Sequence, residues 1–288
     1  MRFPLPTVAP VVRRDPTVAA LPLVCDSPHS GTYYPADFGY AVPHALLRQG
    51  EDTHVERLWQ AAPDVGATLI QAGFPRAYID PNRTLDDLDP DALQGEWPVA
   101  LAPGEKTRLG KGLVWTRLDA NTPIYDRKLS VDEVQHRLNA YYHPYHDALA
   151  QAVKERYEQF GCLWHLNLHS MPNDVYERLG IASSRPLADF VLGDRDGTTC
   201  EPGIIDVIAR FLKDQGYSVA LNDPYKGVQL IAQIGQPARK RYSLQIEIRR
   251  PVYMNEITRE PTNDFVTVQA DLTRLLGQIA AHIRSGLR

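Results

Sequence analysis

At 288 residues, with 43% hydrophobic and 23% charged content, the chain is long enough for one large α/β domain or two small ones, and its make-up is ordinary for a soluble globular protein. A formal net charge of −4 with no basic stripe carrying interleaved aromatics argues against a nucleic-acid partner. No run approaches the roughly 18–20 apolar residues of a membrane span, so no membrane partner is expected.

Residues 1–20 read as an extended, proline-punctuated lead-in without the apolar core of a signal peptide. Leu21–Cys25 then reads as a short apolar strand that delivers the loop Asp26–Gly31 to a sheet edge, with His29 aimed by Pro28 and with Gly31 permitting the turn. Pro43–Gln49 suggests a short helix. Glu51–Ala62 has helical periodicity with Val55, Leu58, Trp59 and Ala62 on one face, and Asp52 stands where an N-cap or first-turn acid would. Ala67–Ala72 looks like a strand, and Arg76–Asp80 is a further apolar run that ends at Pro81, Asn82 and Arg83.

The irregular stretch from Leu85 to Pro123 has the character of a lid or binding loop. Val131–Phe160 is the clearest helix, with Pro144 expected to kink it. Further on, Cys162–Leu168, Phe190–Leu192, Tyr217–Leu221 and Leu244–Ile248 read as strands, and Pro202–Gln215 and Asp264–Ser285 as helices. Strands alternating with helices predict an α/β protein with a mixed, mainly parallel sheet flanked by helices. No repeat or linker divides it, so residues 1–288 are expected to form a single domain. Cys25, Cys162 and Cys200 are an odd number without CxxC spacing, which argues against a disulfide framework or a cysteine metal site and fits a cytoplasmic location. Cys25 and Cys162, inside apolar runs, are expected to be core thiols.

Four groups carry the candidate chemistry: His29 after the first strand, Asp52 at a helix start, His169 after the Cys162–Leu168 strand, and Glu247 inside Leu244–Ile248. Two histidines and one carboxylate are a common ligand set for a catalytic zinc with a fourth position open to water. A metal of this kind acidifies water and polarises a carbonyl, so amide hydrolysis becomes feasible near neutral pH. Glu247 would take the water proton and pass it to the leaving amine. Each residue also has a plainer role available: Asp52 a helix cap, Glu247 a partner of Arg249, His169 a donor to backbone.

Seven short motifs occur in a fixed order: PHSG (Pro28–Gly31), D-x-H-V-x-R-L (Asp52–Leu58), D-x-N-R (Asp80–Arg83), L-H-S (Leu168–Ser170), L-G-x-x-D-G (Leu192–Gly197), K-G (Lys226–Gly227) and L-Q-I-E (Leu244–Glu247). From about Leu21 to Met254 the chain resembles the N-formylglutamate amidohydrolases. The resemblance implies a fold like that of the zinc exopeptidases and deacylases. It also implies His29, Asp52 and His169 as metal ligands and Glu247 as general base. Asn82 and Arg83 match an Asn-Arg pair that holds the substrate carboxylate and polarises the scissile carbonyl, a role suited to the arginine fork. Arg83 could instead pair with Asp86 or Asp87. His54 is a second-shell candidate or alternative ligand, and Glu51 a weaker rival to Asp52. Lys226 reaches a substrate carboxylate or is a solvated turn residue.

Three positions depart from the family pattern: Asn167 where an acid is usual, and Pro172 and Ala232 where arginines are usual. Arg76, Arg127, Arg178 and Arg195 are candidate substitutes. The expected activity is metal-dependent hydrolysis of a small acidic N-acyl amino acid, foremost N-formyl-L-glutamate to formate and L-glutamate, the closing step of histidine degradation. Zn2+ is the expected cofactor, although the ligand set also accepts other divalent transition metals. The alternatives are a carboxypeptidase-like hydrolase of short peptides or cell-wall fragments and a non-catalytic binder of a small anionic metabolite.

Overall fold

The computed structural model describes residues 6–287. A seven-stranded sheet is built from β1 (Val11–Arg14), β2 (Leu23–Ser27), β3 (Thr68–Ala72), β4 (Leu163–Met171), β5 (Phe190–Gly193), β6 (Val219–Leu221) and β7 (Arg241–Arg249), in the order β1-β3-β2-β4-β7-β5-β6. The pairs β2/β4, β4/β7 and β5/β6 are parallel and β5/β7 is antiparallel, so the sheet is mixed and mainly parallel, as expected. With helices flanking it, the molecule is of the α/β class. Residues of the expected lead-in form β1, and positions 1–5 lie outside the described residues.

Compact packing groups the chain into two units, residues 1–12, 28–52 and 71–150 in one and residues 13–27, 53–70 and 151–288 in the other.

In the second unit, the central strands β4 and β7 alternate strictly. Trp164, Leu166 and Leu168 on β4 and Leu244, Ile246 and Ile248 on β7 join Leu23 and Cys25 of β2 in the main core. That face is covered by Ile204, Ile205, Ile208 and Leu212 of the helix Pro202–Asp214 and by Leu272, Leu275, Leu276, Ile279 and Ile283 of the helix Phe265–Gly286. Side chains of a strand point alternately to opposite faces, so Asp26, His165, Asn167, His169, Ser243, Gln245 and Glu247 share the other face. All seven are buried. An apolar stripe thus anchors each strand while its alternate positions carry chemistry.

Val55, Leu58, Trp59 and Ala62 bury the expected face, but the regular helix is only Val55–Leu58, because His54 sits in the left-handed region at φ 71°. Asp52 therefore caps no helix.

In the first unit, Ser130 caps the helix Val131–Arg137, its hydroxyl accepting from the Glu133 N–H at 3.1 Å. Pro144 does not break the long helix. A π turn over Leu138–Tyr142 precedes the segment His143–Phe160. Proline offers no N–H and crowds the carbonyl four residues back, and the wider turn relieves both. Gly31 is needed for a close approach rather than for a turn: a Cβ there would collide with the backbone oxygen of Phe74.

Candidate metal centre

Two carboxylates flank His29 in the first unit. Its Nε2 lies 2.7 Å from Asp80 Oδ1 and its Nδ1 3.5 Å from Asp52 Oδ2. The backbone N–H of Asp52 donates to the carbonyl of His29 at 3.0 Å, which fixes the two loops together. Asp80 is itself anchored, accepting at Oδ2 from Arg76 Nη2 (2.8 Å) and at Oδ1 from the Asn82 N–H (2.9 Å). Burial works to raise the Asp80 carboxyl, yet Arg76, His29 and Arg83 together hold it well below the usual carboxylate range. A carboxylate behind one ring nitrogen fixes the tautomer and leaves the other nitrogen as a ligand.

His169 lies inside β4 rather than after it, since the strand continues to Met171. Its Nε2 is 2.6 Å from Asn167 Oδ1. Glu247 is its register partner on the parallel strand β7, and Gln245 Nε2 donates to Glu247 Oε1 at 2.8 Å. This pairing puts an imidazole and a carboxylate side by side on the polar face of the sheet.

His29, Asp52 and His169 are all buried, and each offers one ligand atom, these atoms lying within 4.8 Å of one another. No other group of this kind occurs among the described residues. Two imidazoles and one carboxylate fit a divalent transition metal, and the buried, hydrogen-bonded setting holds the donors in place.

Glu51 does not join the group: its carboxylate accepts from Tyr34 Oη at 2.8 Å and from Arg48 Nε at 3.2 Å. His54 is not part of the group either. Its Nε2 lies 2.8 Å from the Arg259 carbonyl and its Nδ1 3.1 Å from Arg57 Nη1, so both ring nitrogens are engaged. Burial lowers its pKa below the ordinary imidazole value.

Asn82 and Arg83 are buried in the first unit. The Arg83 guanidinium donates to the carbonyls of Asn82 (2.9 Å) and Lys111 (3.1 Å), with Asp87 at 3.9 Å. Tyr142 Oη, from the π turn, donates to the Arg83 carbonyl at 2.8 Å, so the irregular helix grips this loop. Lys106, which no motif singles out, belongs to the same cationic face: burial lowers its pKa and Arg83 and Arg76 push it the same way.

Of the remaining basic residues named from sequence, Arg76, Arg127, Arg178 and Lys226 have local ion-pair partners. Arg76 pairs with Asp80, Arg127 with Glu133 and Arg178 with Asp174. Arg195 occupies a left-handed turn at φ 54°. Lys226 Nζ lies 2.9 Å from Asp196 Oδ2, and more than half of its side chain is exposed. Arg250 was invisible to sequence reasoning; it is buried with its Nε 3.2 Å from Ser170 Oγ, beside His169.

Fold and site together define an α/β protein with a buried group of two histidines and one carboxylate that could hold a metal ion. The N-formylglutamate amidohydrolase profile matches residues 21–254, and the chain belongs to that family. It is 66% identical to the N-formylglutamate amidohydrolase of Ralstonia eutropha JMP134, whose crystal structure superposes with a TM-score of 0.96 over 97% of this chain and 100% of that one. The N-formylglutamate deformylases of Pseudomonas putida and Pseudomonas aeruginosa are each 28% identical to it, with 82% of this chain and 83% of each relative covered. A gene product of Agrobacterium tumefaciens shares the fold at 19% identity and a TM-score of 0.64.

Proposed function

We propose that this chain hydrolyses the formyl amide of N-formyl-L-glutamate to formate and L-glutamate, as the names of its relatives suggest, using a divalent metal, foremost zinc, held by His29, Asp52 and His169. The observation that carries the reading is the buried convergence of these three ligand atoms within the stretch that matches the family. When bound, the metal supplies Lewis acidity to the scissile carbonyl and lowers the pKa of water.

Glu247 acts as general base. It takes a proton from the attacking water as the oxygen bonds to the formyl carbon, then returns it to the amide nitrogen as the C–N bond breaks. Asp80 and Asn167 hold the imidazoles of His29 and His169 at their Nε2 atoms, which leaves Nδ1 of each as the donor. Arg83 and Asn82 take the substrate carboxylate, with the planar guanidinium matching its two oxygens. Lys106 extends that cationic face toward the second carboxylate of glutamate.

The chain passes between the two compact units at 12/13, 27/28, 52/53, 70/71 and 150/151, and so many crossings favour one domain over residues 1–288. None of the described helices is long and apolar enough to cross a membrane, and the three cysteines are buried free thiols. With the family resemblance, these support a cytoplasmic enzyme closing a histidine-degradation route.

The test is release of amine from N-formyl-L-glutamate by the zinc-loaded protein, beside N-formyl-aspartate, N-acetyl-glutamate and a neutral N-formyl amino acid. Preferential, chelator-sensitive release of glutamate is expected. Turnover of another member of the panel would keep the chemistry and replace the substrate, and no release from a metal-loaded sample would refute the proposal.

A further inference from the structure

A continuous hydrogen-bonded chain crosses the polar face of the sheet behind His169. Ser243 Oγ lies 2.7 Å from His165 Nδ1, and His165 Nε2 lies 2.8 Å from Asp26 Oδ1. The same Asp26 oxygen is 2.8 Å from Asn167 Nδ2, and Asn167 Oδ1 is 2.6 Å from His169 Nε2. Asp26 and Asn167 are register partners on β2 and β4, and all five side chains are buried.

Such a chain has a direction. A carboxylate can only accept, so Asp26 draws Nε2–H of His165 and Nδ2–H of Asn167 toward itself. With its amide NH2 committed to Asp26, Asn167 must turn its carbonyl oxygen to His169. An amide oxygen accepts only, and so it demands the proton on Nε2 of His169 and leaves the lone pair on Nδ1. Asn167 alone would not decide this, because the two ends of an amide are nearly the same shape and can exchange by a flip.

We infer that Asp26, acting through Asn167, is the positioning residue that fixes His169 as the Nε2–H tautomer. This moves to the neighbouring strand the carboxylate that the family pattern places at position 167. The consequence for metal binding rests on the proposed role of His169 as a ligand; the tautomer itself does not.

Three measurements on the full chain test it. In metal-free protein with 15N-labelled histidine, above the titration range of the ring, His169 is expected to show a protonated Nε2 and an unprotonated Nδ1; the reverse pattern overturns the inference outright. In Asp26→Asn the amide at position 167 is free to flip, so Nδ1–H is expected to appear at His169 and zinc affinity, by chelator competition, to fall about 10–100-fold. The double variant Asp26→Asn/Asn167→Asp exchanges the two groups. There the amide introduced on β2 accepts from His165 and donates to the carboxylate introduced on β4, which accepts from His169 directly. Affinity is then expected to return to within about threefold of the original, a difference of less than about 1 kcal/mol.

Unchanged tautomer and affinity in the single variant, or a folded double variant that stays weak, would contradict the relay. If Asp26→Asn does not fold, the double variant and the tautomer of the unaltered protein decide. A chain with the expected tautomer that binds no zinc would refute the metal reading and leave the relay standing.

Discussion

The two histidines of the candidate centre are oriented by different means. Behind His29 stands a carboxylate in direct contact, Asp80, itself gripped by Arg76. Behind His169 stands a neutral amide, Asn167, whose carboxylate Asp26 is one hydrogen bond further away. Both devices fix the tautomer. Only the first places negative charge against the imidazole, which raises its basicity as a ligand. The amide device fixes geometry without placing that charge beside the ring. Tautomer control and charge donation are therefore separable properties: Asp80 supplies both and Asn167 only the first.

The largest effect is expected at Glu247, whose proposed role is that of general base rather than ligand orientation. Glu247→Gln should lower kcat by about 10²–10⁴-fold with little change in zinc affinity. A variant that keeps full kcat would remove Glu247 from the role of base.

Next comes the direct carboxylate. Asp80→Asn should weaken zinc binding about 10–100-fold, and the loss should exceed that in Asp26→Asn, because a buried charge in contact with the ring is removed. Equal losses would erase the distinction between the two devices. Smaller still is the exchange of the substrate fork. Arg83→Lys should raise KM about tenfold, the ammonium being unable to meet both carboxylate oxygens, while zinc affinity stays unchanged. A change in zinc affinity with KM constant would place Arg83 on the wrong side of the site.

The smallest expected effect lies in the scaffold of the first unit. Burial works to raise the Glu133 carboxyl, but Arg127 and Arg137 hold it below its ordinary value. Its stabilising contribution is therefore complete above the ordinary carboxylate range and is lost as pH falls through its lowered folded-state pKa. Glu133→Gln should lower Tm at pH 7, and the gap to the unaltered protein should narrow on acidification. A gap that widens in acid would reverse the sign of this coupling.

Much of this was legible in the residues. Strand order aside, β2, β3, β4, β5, β6 and β7 fall on or within a few residues of the runs that alternation and apolar content mark out. The three ligand candidates come close together, but only His29 follows the end of its strand: His169 lies inside β4 and Asp52 starts no helix. What stayed hidden has physical causes. Helical periodicity at Val55–Ala62 survives burial of the right face, yet a left-handed His54 and later turns limit the regular helix to one turn, because periodicity reports which face is buried and not whether the backbone stays helical. His165 and Asn167 are polar positions within the apolar strand run Cys162–Leu168. They are its second face, and a strand buried on both faces can carry a polar stripe when every group finds a partner. Asp26, Asp80, Lys106 and Arg250 depend on contacts between distant stretches of chain, which no local pattern encodes.

The most direct test of the central claim is a zinc titration of the metal-free protein with formate release from N-formyl-L-glutamate followed at each step. The account predicts negligible release without metal, a linear rise to a plateau at one equivalent, and no rise in His169→Ala. Full turnover in the metal-free protein, or a plateau that His169→Ala leaves unchanged, would contradict it.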